Sequence, residues 1–409
     1  PEAAGLIIDS PAGRVVHTGD FKLDKNPIVG EAYDPVLFAQ VAQGGIKALV
    51  CDSTNVFSPE AGRSESTLNA NITKLIADAS GMMVATTFAS NVARLKTLAQ
   101  AGVDAGRSVC VLGRSMQRMM NYAQTTGVLD NFPPTIELED AQSVPRENLM
   151  LIVTGSQGES RAASGQLARG KYLGLTMKEG DTFLFSSKTI PGNEVPVGRI
   201  VNSFSEMGVK VIDDSSGLYH VSGHANRPDL EEMHDVFKPE MLIPMHGEHR
   251  HLREHAELAQ SKGIASIIAP NGAMIDLTGK KPKVIEHIET SRLYLDGTQL
   301  IGAFDGVVLE RIRMATRGLV AMSIIIEEGE VIGVWADAKG LPDTKAMQAG
   351  LNDMIEDAVE KELLKSKRKV LNSDDEVDRL VTRIVSRTCK DAVGKKPVSQ
   401  VMINRLVAD

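Results

Sequence analysis

Leu149-Met150-Leu151-Ile152-Val153 runs without a polar break into Thr154-Gly155-Ser156-Gln157-Gly158-Glu159. A short apolar run ending in a Gly/Ser turn is the mark of a strand buried on both faces of a parallel sheet. The same unit recurs around it. Met82 to Thr87 ends in Phe88-Ala89-Ser90-Asn91 before a helix beginning at Val92, and Ser108 to Leu112 ends in Gly113-Arg114-Ser115 before the helix Met116 to Gln124. Ala48-Leu49-Val50-Cys51 ends in Asp52-Ser53-Thr54-Asn55, and Asp181 to Phe185 ends in Ser186-Ser187. Strands alternating with helices from about Ala32 to Ser215 predict an α/β architecture whose turns open along one carboxyl edge. Hydroxyls and backbone N–H groups there form anion sites, so a row of Ser, Thr and Asn loops suits a ligand with several phosphates. The ordinary alternative is that these residues are N-caps.

Three polar stretches stand outside this row: His17-Thr18-Gly19-Asp20, His220-Val221-Ser222-Gly223-His224 and Met245-His246-Gly247-Glu248. Each follows apolar, largely β-branched residues and so belongs where a strand surfaces into a loop, the usual place for chemistry. His and Asp are the side chains that hold Zn²⁺ or Mn²⁺ and activate water. Taken singly, Asp20 is a turn residue capping its own backbone and His246 a structural hydrogen-bonder.

Beyond Leu277 a connector of mixed character, about Lys281 to Ile301, leads to a small α+β unit. Leu319 to Ile326 and Val331 to Ala336 form a hairpin around Glu328-Gly329-Glu330, with a helix over roughly Asp343 to Ser366. A second helix opens on Ser373 with Glu376 three residues on, a capping box, and Val377, Leu380, Val381, Ile384 and Val385 line one face of it. Val398 to Ile403 completes a three-stranded sheet. No catalytic cluster stands out there, which leaves packing or dimerisation as its work.

The chain has 409 residues, 42% hydrophobic and 24% charged, with a formal net charge of −8. That balance tells against a protein gripping nucleic acid with its whole surface, though not against a local basic channel. No apolar run reaches the ~20 residues of a membrane span. Cys51, Cys110 and Cys389 lie far apart without a CxxC pair, which fits a reducing cytoplasm better than a disulfide framework. Pro1 is no translation start, and a hairpin pairing Leu6-Ile7-Ile8 with Arg14-Val15-Val16 leaves no lead-in, so upstream sequence is expected.

The motifs in order resemble the β-CASP branch of the metallo-β-lactamase superfamily, and within it the ribonuclease J family. The carriers are His17 to Lys22, Asp52 to Asn55, Ser64-Glu65-Ser66, Phe88 to Asn91, Gly113 to Met116, Thr154 to Glu159, Ile190-Pro191-Gly192-Asn193-Glu194, His220 to His224 and Pro244 to Glu248. The resemblance implies a metallo-β-lactamase αββα sandwich, incomplete here, from residues 1–32 and 209–280. A β-CASP α/β domain over 33–208 would be inserted in it, with a linker over 281–305 and an α+β domain over 306–409. It implies two divalent ions, zinc expected with manganese as the alternative. Asp20 would be shared between them and His246 would ligate one, most other ligands lying upstream of residue 1 in a His-x-His-x-Asp-His cluster. His224 would contact the scissile phosphate as general acid with Glu65 orienting it, while His220, Val221, Ser222, Gly223 and His224 cradle phosphate. Ser90, Ser115 and Ser156 are the loops suspected of reading a 5′-monophosphate.

The implied activity is 5′-to-3′ exonuclease on 5′-monophosphorylated single-stranded RNA, with endonuclease action, in ribosomal RNA maturation and messenger RNA decay. A homodimer or homotetramer with RNA-degradation partners is implied too, in the cytoplasm and with no membrane role. The competing readings are a non-catalytic RNA-binding scaffold and a β-CASP nuclease acting on DNA. His249, His251 and His255 read as a solvated helix face, His17 as a strand or supporting residue, His234 and His287 as surface or core. Arg311, Arg313 and Arg317 could touch RNA but read more simply as a solvated strand face.

Overall fold

The structure, a computed structural model, describes residues 3–303, 305–342 and 350–406. Two compact units divide the chain, one ending at Ile288 and the other starting at Glu289.

The first unit is built on two five-stranded sheets. Strands β1 (Leu6–Ser10), β2 (Gly13–His17) and β3 (Ala48–Asp52) are followed by β4 (Met83–Thr86), β5 (Ser108–Leu112), β6 (Leu149–Val153), β7 (Thr182–Phe185) and β8 (Lys210–Ile212). Then come β9 (Met241–Met245) and β10 (Ala265–Ser266). The first sheet has the order β1-β2-β3-β9-β10 and the second β5-β6-β4-β7-β8. Only β1 runs antiparallel to its neighbour. The chain thus leaves the first sheet after β3, builds the whole second sheet, and returns at β9.

Both faces of the second sheet are covered. Val84, Leu149, Leu151, Val153, Phe183 and Phe185 pack into one core, while Met83, Ala85, Met150, Ile152 and Leu184 pack into another. Alternation along each strand sends neighbours to opposite faces, so a parallel strand covered on both sides must be apolar throughout. That is why Leu149–Val153 has no polar break. In the first sheet Val16, Leu49, Cys51 and Leu242 pack on Leu230, Met233 and Phe237 of the helix Arg227–Phe237 and on Leu258 and Ala259 of the helix His249–Ser261.

Two boundaries differ from the sequence reading. β3 lies in the first sheet, paired with β2 and β9, rather than in the inserted domain. β8 lies in the second sheet, paired with β7, so the return begins after Ile212 and not at 209. A buried parallel strand looks alike in either sheet; only its partners decide where it belongs. Residues Ala273–Asp276 (β11) and Lys283–His287 (β12) then pair as a hairpin, only its second strand falling in the stretch read as a connector.

The second unit opens with the hairpin β13 (Leu293–Asp296) and β14 (Gln299–Gly302). Strands β15 (Leu319–Glu327), β16 (Glu330–Lys339) and β17 (Val398–Leu406) make a sheet of order β16-β15-β17. Its Val320, Met322, Ile324 and Ile326 face Ile355, Val359 and Leu363 of the helix Leu351–Leu364 and Val377, Val381 and Val385 of the helix Asp374–Val393. Ser373 Oγ accepts from Glu376 N, one half of the predicted capping box. The expected helix start at Asp343 lies outside the described residues. Arg311, Arg313 and Arg317 sit on a helix, Val307–Arg317, rather than on a strand. Arg311 forms a two-bond pair with Asp296, at 2.9 and 2.8 Å, exposed and so of small energetic weight.

Leu184, wholly buried on β7, and Leu295, exposed on β13, give contrasting expectations. Leu184→Ala should cost about 2–5 kcal/mol in urea unfolding and Leu295→Ala under about 0.5 kcal/mol; equal costs would contradict the packing described.

Candidate metal and phosphate site

Parallel pairing brings the carboxyl ends of β2, β3 and β9 to one edge. Asp52 and Met245 are register partners, and Ser53 N donates to Met245 O at 2.8 Å. Beyond β2 the chain stays bonded to β3: Thr18 N donates to Val50 O, and Asp52 N donates to Thr18 Oγ1. Gly19 then turns at φ +60, where a Cβ would stand 3.0 Å from Ala4 O. Asp20 follows at once. His17 Nδ1 accepts from Gly19 N at 3.1 Å, so it braces this turn. On β9 the turn falls on His246 itself, at φ +61. A non-glycine residue in that region costs about 1–2 kcal/mol, strain of the kind that gathers at functional sites.

The result is a cluster. His246 Nδ1 lies 2.6 Å from Asp20 Oδ1 and 3.8 Å from Asp52 Oδ1. One ligand atom from each of Asp20, Asp52 and His246 falls within 4.8 Å of the others. Two carboxylate oxygens and an imidazole nitrogen, without a thiolate, suit zinc or manganese. These three residues fit a divalent cation as part of its ligand set, since zinc takes about four ligands.

Asp52 is almost wholly buried, 1% exposed. Its Oδ2 lies 2.7 Å from His224 Nδ1, and its Oδ1 accepts from Thr54 N (2.9 Å) and Thr54 Oγ1 (2.7 Å). Burial pushes this carboxyl up, but the bonds from His224 and Thr54 outweigh it and hold Asp52 below its ordinary range. The same bond, working against burial, raises His224 above the usual imidazole range. His224 is therefore disposed to hold a proton, with Nδ1–H fixed on Asp52.

Glu65 does not orient His224, as the resemblance implied; Asp52 does. Glu65, the first residue of the one-turn helix Glu65–Thr67, meets Arg94 on the helix Val92–Asp104. Arg94 Nε donates to Glu65 Oε1, and Nη2 to Oε2 at 2.9 Å. Arg94 is 0% exposed, and a buried guanidinium needs a counter-charge. Glu65 is that counter-charge.

The loop His220 to His224 is held from three sides. Asn55 Nδ2 lies within bonding distance of Ser222 Oγ (2.8 Å), His224 O (3.2 Å) and Asn226 Oδ1 (3.0 Å). Arg63 Nη2 donates to His220 O at 2.8 Å. Val221 is buried against the second sheet's core, and Ser222 Oγ also accepts from His224 N at 3.1 Å. A Cβ on Gly223 would meet nothing within 4 Å, so this part of the loop stands open.

Ser90, Ser115 and Ser156 follow β4, β5 and β6, which are neighbours in the order β5-β6-β4. The fold thus brings these loops to one edge, with Ser90 and Ser115 exposed and Ser156 buried.

His255 departs from the solvated face expected for it. It is 0% exposed, its Nδ1 lies 2.9 Å from Ser53 Oγ, and its Nε2 lies 3.1 Å from Nε2 of His234, also buried. His251 Nδ1 accepts from Glu248 N in a reciprocal cap, while His249 is exposed. The sequence reading assigned no role to Asp52, Asn55 or Arg94. A carboxylate ending a buried strand was a usable signal for the first. Nothing local marks Arg94, because its burial depends on Glu65 arriving from another segment.

A sheet-edge cluster of two carboxylates and a histidine, backed by a carboxylate-held imidazole, defines a metallo-hydrolase with an α/β domain inserted between its strands. Three family models match: "Ribonuclease J, beta-CASP domain" over residues 80–204, "Zn-dependent metallo-hydrolase RNA specificity domain" over 217–270, and "Ribonuclease J C-terminal domain" over 306–406. The chain is 38% identical to ribonuclease J of Sinorhizobium meliloti, over 99% of its own length and 72% of that protein. It is 34% identical to ribonuclease J of Corynebacterium glutamicum over 80% of its length and 46% of the relative. Against ribonuclease J 1 of Streptococcus pyogenes it is 34% identical over 78% of its length and 58% of the relative. The chain belongs to the ribonuclease J family, ribonucleases of the metallo-β-lactamase superfamily. Among the described residues no helix is long and apolar enough to cross a membrane.

Two outcomes are expected. Glu65→Ala should cost about 3–5 kcal/mol in urea unfolding, because it strands Arg94 in the interior; an unchanged midpoint would disprove the pair. Burial pushes the His234 and His255 imidazoles well below the usual 6.5. The unfolded chain then binds more protons than the folded one below about pH 6.5, so stability falls as pH falls through that value, by up to ~1.4 kcal/mol per unit per histidine. Urea midpoints of wild type and His234→Leu between pH 5 and 8 check this, the variant showing the shallower slope.

Proposed function

We propose that the protein hydrolyses phosphodiester bonds of single-stranded RNA, acting 5′-to-3′ on 5′-monophosphorylated ends and also internally. The observation that carries this reading is one carboxylate, Asp52, holding His224 on one oxygen while its other stands 3.8 Å from His246, in a cluster that also includes Asp20. Asp20, Asp52 and His246 would hold a divalent cation, zinc or manganese. Such a cation polarises phosphoryl oxygens and lowers the pKa of water. His224, tied to Asp52 through Nδ1, keeps its other nitrogen for the substrate and donates a proton to the departing 3′-oxygen. Water attacks phosphorus as that oxygen leaves, giving a 5′-phosphate product. The loop His220 to His224 holds the phosphate, and the loops at Ser90, Ser115 and Ser156 read the terminal 5′-monophosphate. Work on ribosomal and messenger RNA in the cytoplasm, as a homodimer or homotetramer with RNA-degradation partners, completes the reading.

The test compares wild type with His224→Ala and His246→Ala on matched RNA and DNA strands, with metal content measured alongside. His224→Ala should lower kcat by about 10²–10⁴-fold while keeping its metal, whereas His246→Ala should lose metal and cleavage together. Binding of RNA without metal or cleavage would instead make the protein a scaffold, and equal cutting of DNA would remove the RNA assignment. Alanine at Ser90, Ser115 and Ser156 should each weaken the preference for 5′-monophosphate over 5′-triphosphate RNA; an unchanged preference in all three discards that assignment.

A further inference from the structure

His220 shares a loop with His224 but not its chemistry. Its Nδ1 stands 3.0 Å from Nη1 of Arg94. A guanidinium has only donors and keeps its proton, so Nδ1 must offer its lone pair. A neutral imidazole carries one N–H, which leaves the hydrogen on Nε2.

Arg94 has no freedom to turn away. Its Nε donates to Glu65 Oε1, and Nη2 donates to Glu65 Oε2 (2.9 Å) and to Val221 O (3.4 Å). Nη1 donates to Ser186 O (2.7 Å), with Ser186 Oγ at 3.1 Å, and its second hydrogen goes to His220. All five N–H groups of this wholly buried side chain therefore have acceptors. Burial pushes His220 down to about 3, the charges of Arg94, Lys188 and Lys22 act in the same direction, and a bond with the Ser186 backbone acts against them, the balance favouring the neutral ring. Nε2 has no hydrogen-bond partner among the described residues, and it is not among their buried unpaired atoms. A donor is left facing outward on the loop that carries His224.

We propose that Arg94 is a positioning residue that fixes His220 as the Nε2–H tautomer, a neutral hydrogen-bond donor to an RNA phosphate oxygen. This rests on the reading of the loop as the phosphate holder. It gives the loop's two histidines complementary states: His224 carries a transferable proton, and His220 carries one that stays.

The tautomer is read on full-length, metal-loaded protein with ¹⁵N-labelled histidine, by long-range ¹H–¹⁵N correlation, His220 being assigned from the spectrum of His220→Gln. The expected pattern is Nε2–H, unchanged from pH 5.5 to 8; an imidazolium or an Nδ1–H pattern overturns the proposal. Glutamine sets its amide nitrogen near the place of Nε2, and asparagine sets its own near Nδ1. His220→Gln should therefore cost no more than about tenfold in kcat/KM on RNA, and His220→Asn about a hundredfold, mostly through KM. Equal losses overturn the donor assignment. The double variant Arg94→Met, Glu65→Gln leaves no lone buried charge, and in it His220 should show mixed tautomers; an unchanged tautomer removes Arg94 from the scheme. Should that variant not fold, the wild-type spectrum and the two His220 variants decide the matter. The spectrum needs no RNA, so a wild type that cuts nothing while showing Nε2–H defeats the nuclease reading separately from the tautomer.

Discussion

A single buried carboxylate joins the parts of this site. Asp52 ends β3, whose pairing with β2 and β9 fixes where Asp20 and His246 stand. One of its oxygens takes His224, and the other takes Thr54 and faces His246. Burying an ionised carboxylate costs several kcal/mol unless its lone pairs are filled, and here Thr54 and His224 fill them. The interaction that makes Asp52 tolerable inside the protein is the one that aims the histidine. Stability and chemistry are served by the same bonds.

Arg94 and Glu65 do comparable work one layer away. Arg94 rises from the helix after β4, and Glu65 from the segment leading into the inserted sheet. Between them they grip Ser186 and the loop from His220 to Val221. Half of such an arrangement would be worse than none, since an unpaired buried charge is among the costliest defects a fold can carry. The loop's conformation is thereby tied to the folding of the inserted domain.

Much of the architecture could be read from local pattern. The unbroken apolar strands announced a sheet covered on both faces, and the cores on either side of β4, β6 and β7 match. Ser373 and Glu376 marked a helix start, and the three strands of the terminal unit fall where their apolar runs do. Pattern failed wherever the answer lay in a partner. β3 and β8 looked alike and went to different sheets. His255 was read with His249 and His251 as a solvated helix face, yet it is enclosed between Ser53 and His234. Glu65 matched a family motif, but its orientation follows from a guanidinium twenty-nine positions on.

The sequence by itself determined the buried parallel strands and the carboxyl-edge position of the polar motifs, because periodicity and strand-end chemistry are short-range properties; Asp20 and His246 became candidate ligands through the family resemblance of their motifs. Tertiary structure alone decided that Asp52 orients His224, that Glu65 neutralises Arg94, and that His220 accepts through Nδ1. These depend on residues 29 to 172 positions apart meeting within hydrogen-bond distance. Burial is what sharpens such meetings: once water is excluded, each donor needs a particular acceptor, and the fold must supply it.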